Sequence, residues 1–157
     1  MGNKSDALAA KFEQTSKDFQ SRIEALTPQE WQAKTPEGWT VAACAHHAAI
    51  SSAPLSMMAS AIAGNGPMPA ITPAMLDEIN ATHAKEFANC SKEETLAALR
   101  DSTGPAAAVV RSFSDEELAK KAMLPFGMEM STEQMIENVL IGHMQGHSQS
   151  VATAVPA

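Results

Sequence analysis

Apolar residues recur along most of this chain with the 3.6-residue period of an amphipathic α-helix. The first such segment covers residues 6–26, with charged residues between its apolar positions. Those apolar positions are Leu8, Phe12, Phe19, Ile23 and Leu26. Because this spacing places them on one face, the segment is predicted to be a helix that turns that face to a core.

A second helix is predicted for residues 41–63, with Thr40 as its N-cap. Pro54 lies inside it and should kink it, because proline removes a backbone hydrogen bond. After the loop GNGPMPAI, a proline at the first helical position predicts a third helix from Thr72-Pro73 to about residue 89.

Capping boxes mark the two later helices. Ser91 and Glu94 precede a segment that Gly104-Pro105 should break or bend. SDEELAKKAML predicts a short capped helix, and PFGMEM predicts a loop. The last helix begins at Ser131, with Gln134 as its capping partner, and runs to about residue 154. No segment alternates with period two for long enough to predict a strand.

Four principal helices with long connections and short extra helices predict an all-α fold of the four-helix bundle class. The length suits a single helical bundle domain over residues 1–157. Apolar residues make up 45% of the chain and charged residues 18%, which is a globular composition. With ten Met and no Tyr, the core should consist of Ala, Leu, Ile, Val and Met.

The net charge, the apolar runs and the cysteines limit the kinds of partner and compartment that we expect. A formal net charge of −7 without a basic cluster argues against nucleic acid. No apolar run is long enough for a membrane span, and the first residues lack the apolar segment of a secretory signal. Cys44 and Cys90 are far apart and form no CxxC pair. We therefore expect a cytoplasmic protein with reduced thiols and no membrane partner.

Two histidines continue the apolar stripe of the last helix. The stripe runs through Ile136, Leu140, position 143 or 144, position 147 and Val151, so His143 and His147 fall on the face turned to the bundle. Their i, i+4 spacing projects both rings to one side, within reach of a single ion. Two half-buried histidines satisfied by hydrogen bonds would explain the pair equally well.

The second helix supplies a third imidazole. His46 and His47 point about 100° apart, so at most one faces the core. His47 shares a face with Cys44 and Ile50. If that face is the inner one, His47 can meet His143 and His147 and complete a three-ligand site for a divalent metal, with positions left for water or substrate.

The remaining candidates have simpler interpretations. His46 is expected at the rim or surface, or in a local hydrogen bond. His83 is expected to be exposed or at the rim. Cys44 could be a fourth ligand, but a small core residue is the favoured interpretation.

Three segments resemble the DinB/YfiT-like bundle superfamily. EGWTVAACAHHAA is similar to the start of the family's second helix, and STEQMIENVLIGHMQGHSQSV is similar to its last helix with a His-x-x-x-His pair. LDEINATHAKEFANCSKEETLAALRDS resembles the third-helix segment. The resemblance implies a four-helix bundle with one long crossover and a metal triad of His47, His143 and His147. Trp39 falls on the family's tryptophan position, interpreted as packing.

The resemblance also suggests a chemistry. Family members include thiol S-transferases and a mycothiol-dependent maleylpyruvate isomerase, in which a metal activates a thiol. We therefore expect a metal-dependent enzyme that activates a thiol or water against a small electrophile, with a low-molecular-weight thiol as one substrate. Zinc or nickel is favoured, with iron, cobalt or manganese as alternatives.

Two other functions stay open from the sequence. The chain could be a non-catalytic metal- or small-ligand-binding stress-response protein, or a bundle whose histidines bind nothing. No catalytic residue is assigned, because Glu137 should point away from the histidine face. A homodimer is expected from the resemblance alone.

Overall fold

Long helices account for most of the computed structural model, which describes residues 3–155. The helices are α1 (Asn3–Glu24), α2 (Pro28–Trp31), α3 (Val41–Ile62), α4 (Pro73–Glu86), α5 (Lys92–Arg111), α6 (Asp115–Ala119), α7 (Thr132–Gln134) and α8 (Gly142–Ala154). A π-helical segment, Met135–Ile141, joins α7 to α8 without a break. The two short strands are β1 (Lys121–Met123) and β2 (Glu129–Ser131).

The bundle consists of α1, α3, α5 and the continuous α7–π–α8 helix. Helix α3 packs against α5 and α8, and α1 packs against the same two helices, which closes a four-membered ring. Helix α4 lies in the long connection from α3 to α5 and contacts α3. The predicted all-α bundle is confirmed, with a two-stranded hairpin as its small β element.

The core fills the space between the four long helices. Its fully buried side chains include Phe12, Phe19, Ile23, Leu99, Phe113, Met135, Ile136, Leu140, Ile141 and Met144. The apolar positions predicted for the first helix are all buried, and the last of them, Leu26, lies two residues beyond the end of α1. Small alanines on α3, buried at nearly every turn, let the neighbouring helices approach it closely.

Polar caps set several helix boundaries where the sequence predicted them. Thr27 and Ser131 form complete capping boxes. The Thr40 hydroxyl accepts a hydrogen bond from the Ala43 amide and donates one to the Ala88 carbonyl, so it caps α3 and ties it to the turn that follows α4. These caps satisfy amides that have no partner within the helix.

One expectation about the secondary structure is wrong, and one of two alternatives is excluded. A hairpin occupies residues 121–131, where no strand was predicted, with Lys121 opposite Ser131. Its strands have three residues each, too short to show a period, and Gly127 takes the positive φ of +84° that the turn requires. Of the break or bend predicted at Gly104 and Pro105, the break does not occur. Helix α5 continues through both residues because they lie on its exposed face, where water can solvate the carbonyl that proline leaves unpaired.

No helix within residues 3–155 combines the length and the apolarity needed to cross a membrane.

Candidate metal centre

Three imidazoles from two helices converge on one point. His47 comes from α3, and His143 and His147 lie one turn apart on α8. The Nε2 atom of His143 lies 3.1 Å from Nε2 of His47 and 3.1 Å from Nε2 of His147. Among the described residues, these three side chains form a group whose ligand atoms all lie within 4.8 Å of one another. The structure therefore brings together the three histidines that the sequence predicted.

The spacing of these nitrogens suits a metal ion. A divalent first-row ion bonds histidine nitrogen at about 2.0–2.1 Å, so tetrahedral ligands lie about 3.3 Å apart. The two 3.1 Å separations are close to that value. Three neutral nitrogen ligands also match the donor set of catalytic zinc sites, which keep a further position open.

Hydrogen bonding alone cannot satisfy this cluster. A neutral imidazole Nε2 carries either one N–H or one lone pair. His143 Nε2 faces two other Nε2 atoms, so it can form a good hydrogen bond with one of them and is left in an unfavourable contact with the other. A cation at the centre would accept all three lone pairs, and the donor set therefore fits a metal.

Burial keeps the three rings neutral. Burial, together with the charge of the neighbouring imidazoles, lowers the pKa of His47 to about 3. Burial likewise lowers the pKa of His143 to about 4, again helped by His147. The pKa of His147 is lowered by burial and partly restored by the charge of Glu37. Since metals bind neutral imidazole, the site is prepared for an ion at neutral pH.

Cys44 orients one of these histidines. Its Sγ lies 3.3 Å from His147 Nδ1, and its S–H donates to the His147 carbonyl at 3.8 Å. If Nδ1 carries the proton and donates it to sulfur, the Nε2 lone pair of His147 is free for an ion. Burial, with a contribution from the charge of Glu37, raises the pKa of Cys44 to about 12. Cys44 is thus a buried thiol beside the cluster, as favoured from the sequence.

Trp39 packs on two of the three histidines. Its ring meets His47 edge-on at 5.2 Å between centroids and stacks on His147 at 6.2 Å and 19°. The loop before α3 holds it there, because the Thr35 amide donates to the Trp39 carbonyl and Gly38 takes a φ of +92°. Packing was the predicted role of Trp39, but nothing in the sequence indicated that its partners are the histidines.

The π-helical segment changes which residues of the last helix face the core. Its buried residues form two pairs five positions apart, Met135 with Leu140 and Ile136 with Ile141, which match the i to i+5 period of a π-helix. After it, Met144 is the core residue, and His143 and His147 are half-buried. The apolar residues of the predicted stripe are therefore buried as expected, while the two histidines lie at the edge of the core.

His46 and His83 contradict their predicted positions. Both are buried, at 5% and 8% exposure, where a rim or surface location was expected. His46 Nδ1 lies 2.9 Å from His83 Nε2, and both rings stack on Phe87. The prediction failed because α4 covers the face of α3 that carries His46, which is a tertiary contact without a sequence signature.

Glu37 is the carboxylate that the sequence reasoning missed. It accepts a hydrogen bond from the Ser150 hydroxyl at 2.6 Å, which places it beside α8. Its charge acts on both His147 and Cys44. The sequence feature that could have pointed to Glu37 is its position directly before Gly38 and Trp39 in the loop that leads to α3. Glu137 is exposed, as expected.

Comparison with known proteins supports the fold. A search of curated proteins found no match. A mycothiol-dependent maleylpyruvate isomerase, crystallised as a histidine-to-alanine mutant, aligns with a TM-score of 0.67 and 13% identity over 96% of this chain. The chain spans 63% of that isomerase's length. An uncharacterized protein from Clostridium difficile 630 aligns with a TM-score of 0.69 and 13% identity, over 98% of this chain and 96% of the other.

At this identity the two structures show a shared fold. The family assignment comes from the sequence, since residues 11–149 match the family model of the DinB superfamily. That match covers most of the chain, including all three converging histidines. The chain belongs to the DinB superfamily.

Proposed function

We propose that this protein is a divalent-metal-dependent enzyme whose ion is held by His47, His143 and His147. The observation that carries the proposal is the convergence of three Nε2 atoms that hydrogen bonds cannot satisfy together. Zinc or nickel is the favoured ion, and iron, cobalt or manganese would suit the same ligands. A cytoplasmic location and a homodimer are part of the proposal, carried over from the sequence.

The reaction we propose is the activation of a thiol or of water against a small electrophile. When bound, a divalent ion lowers the pKa of a coordinated thiol or water enough to provide a nucleophile near neutral pH. The isomerase of similar fold is mycothiol-dependent, which supports a low-molecular-weight thiol as the first substrate. We favour the thiol over water for that reason.

The chain's own residues prepare this chemistry. His47 and His143 stay neutral because burial disfavours their protonated forms, and Cys44 fixes the ring of His147. Trp39 covers one side of the cluster and limits the access of water. Glu37 is the charged group placed to attract the proton that the nucleophile loses.

The first test is metal content. We expect one equivalent of metal after purification or reconstitution, and saturation at a hundred times the dissociation constant should stabilise the fold by about 2.7 kcal/mol. For a chain of this length, that raises the melting temperature by about 5–11 °C. The variant His143→Ala should lose both effects, and the control Gln145→Ala, an exposed neighbour on the same helix, should keep them.

The second test is activity. Metal-loaded protein should conjugate a low-molecular-weight thiol to a generic electrophile such as a chloronitrobenzene, and a chelator should abolish the rate. Protein that binds stoichiometric metal but shows no rate above the chelated control, across several thiols and with water, would support the non-catalytic binding protein. If the protein binds no metal in the first test, neither the metal-dependent enzyme nor the non-catalytic metal-binding protein is supported.

A further inference from the structure

Helix α4 is attached to the bundle by few buried side chains. Among its described residues only His83 is buried, and Leu76, Asn80 and Ala84 on the same face are half-buried. Among residues 3–155, the hydrophobic core and the apolar side chains packed against it include none from α4. Because burial of apolar side chains is what holds a helix in place, local opening of α4 should cost far less than unfolding of the bundle.

The side chain that anchors α4 is incompletely satisfied. His83 Nε2 lies 2.9 Å from His46 Nδ1 on α3, and both rings stack on Phe87. The other ring nitrogen of His83, Nδ1, is buried and forms no hydrogen bond within the part of the chain that the structure describes. The closed position of the helix therefore costs the hydration of this atom, and opening would return it to water.

Unfilled space also separates α4 from the loop before α3. A recess of about 430 Å³ lies between them, and small residues line much of it. These are Gly38 and Thr40 on the loop, with Ala81, Ala84 and Ala88 on and after α4. Helix α4 therefore lacks, on this side, the close packing that holds the four long helices together.

The two ends of α4 are restrained differently. After its C-terminal end, the Thr40 hydroxyl donates to the Ala88 carbonyl at 2.8 Å, and the Trp31 indole N–H donates to the Cys90 carbonyl at 2.8 Å. Before its N-terminal end lie residues 64–72, most of which are exposed. The turn after α4 is thus tied to the bundle while the other end is less restrained, which is the arrangement of a hinged lid.

We propose that α4 is a lid that opens about the turn at residues 87–90 and controls access to the candidate metal centre. The ring of His83 lies 5.5 Å from that of His47 and 6.4 Å from that of Trp39, between centroids. The closed helix therefore covers the side of the cluster next to His47, and opening uncovers that side. The control of access rests on the proposed function, whereas the opening itself is a property of the metal-free protein.

Hydrogen exchange of the full metal-free chain at neutral pH, followed by mass spectrometry, tests the opening. We expect the amides of α4 to exchange about a hundredfold or more faster than those of α5, whose Leu99 and Val110 are fully buried. His83→Ala removes the anchoring side chain and should raise α4 exchange about threefold to tenfold further, without changing α5. The control Ile79→Ala, on the exposed face of the same helix, should change neither.

Stopped-flow rates of zinc uptake and of zinc removal by EDTA test the control of access. A lid that opens more often raises both rates by the same factor and leaves the affinity unchanged, because the ion meets the same three ligands under an open or a closed helix. We expect His83→Ala to raise both rates about threefold to tenfold, with a zinc affinity within about twofold of wild type. Ile79→Ala should leave both rates unchanged.

Three results would overturn the proposal. The first is protection of α4 as strong as that of α5. The second is faster zinc removal from His83→Ala without faster uptake, which would make His83 a positioning residue for His47. The third is faster α4 exchange in that variant with unchanged zinc rates, which would place the route to the ion elsewhere. If wild-type protein binds no zinc while α4 opens as expected, the proposed function fails and the moving helix is supported.

Discussion

Acid should destabilise the metal-free protein well before its carboxylates titrate. All five histidines of the chain, at positions 46, 47, 83, 143 and 147, belong to the two adjoining clusters described above. Carboxylates have pKa values near 4, and the α-amino group has one near 8. Between pH 7.0 and 5.5, any change in stability therefore reports mainly on these imidazoles.

The magnitude follows from the difference between folded and unfolded pKa values. Imidazole in the unfolded chain has a pKa near 6.5. Burial lowers the pKa of His47 to about 3, and those of His83 and His143 to about 4. Their contribution is therefore fully present above pH 6.5 and is lost as the pH falls, because the unfolded chain binds protons that the folded chain does not.

At pH 5.5, one unit below the unfolded pKa, each fully shielded imidazole costs about 1.4 kcal/mol. Three such groups would cost about 4 kcal/mol, and the partial exposure of His47 and His143 reduces the expected loss to about 2–3 kcal/mol. That is a substantial part of the stability of a small domain.

Urea unfolding in the presence of a chelator, at pH 7.0, 6.5, 6.0 and 5.5, measures this loss. The slope of the unfolding free energy against pH gives the protons taken up on unfolding, and we expect two to three near pH 5.5. His143→Gln removes one titrating ring and should lower that number by about one. Equal stability at pH 7.0 and 5.5 would refute the reasoning, since the imidazoles would then charge as easily in the fold as outside it.

Three further predictions concern single side chains. Cys44→Ala removes the partner of His147 Nδ1 and should weaken metal affinity about tenfold or more, measured by chelator competition, with Cys90→Ala as a control that leaves it unchanged. Thr40→Val keeps the shape but removes the cap and the bond to the turn after α4, and should cost about 1–2 kcal/mol in urea unfolding. Leu99→Ala, at a fully buried position, should cost about 2–5 kcal/mol, and a loss below 1 kcal/mol would contradict the packing.

Local signals made most of the fold predictable. Helix boundaries depend on hydrogen bonds within four residues, so Thr40 and Ser131 could be identified as caps from the sequence. The apolar period of α1 likewise shows which face it buries. The hairpin and the π-helical segment could not be found in this way. The strands of the hairpin are too short to show a period, and the π-helical segment differs from an α-helix by only one residue in the spacing of its hydrogen bonds.

The candidate site was predictable only in part. The i, i+4 spacing of His143 and His147 places them on one helix face, which the sequence shows directly. His47 could be assigned to the same site because α3 was expected to turn the face that carries it to the bundle. His46 and His83 depend instead on where α4 crosses α3, which no local pattern encodes. Glu37 reaches His147 through the fold of a loop, and a loop's path is the least predictable part of a chain.

The concentration of every histidine in one region argues that this region is kept for function. Apolar side chains at positions 47 and 83 would bury the same area without the cost of polar nitrogens. Within residues 3–155 the fold instead holds an Nε2 triangle that hydrogen bonds cannot satisfy and, one ring away, a buried Nδ1 atom of His83 that forms no hydrogen bond. The cation that we propose at the triangle would regain part of the stability lost there. A saturating divalent metal should therefore raise the melting temperature of the wild-type protein and leave that of His143→Ala unchanged.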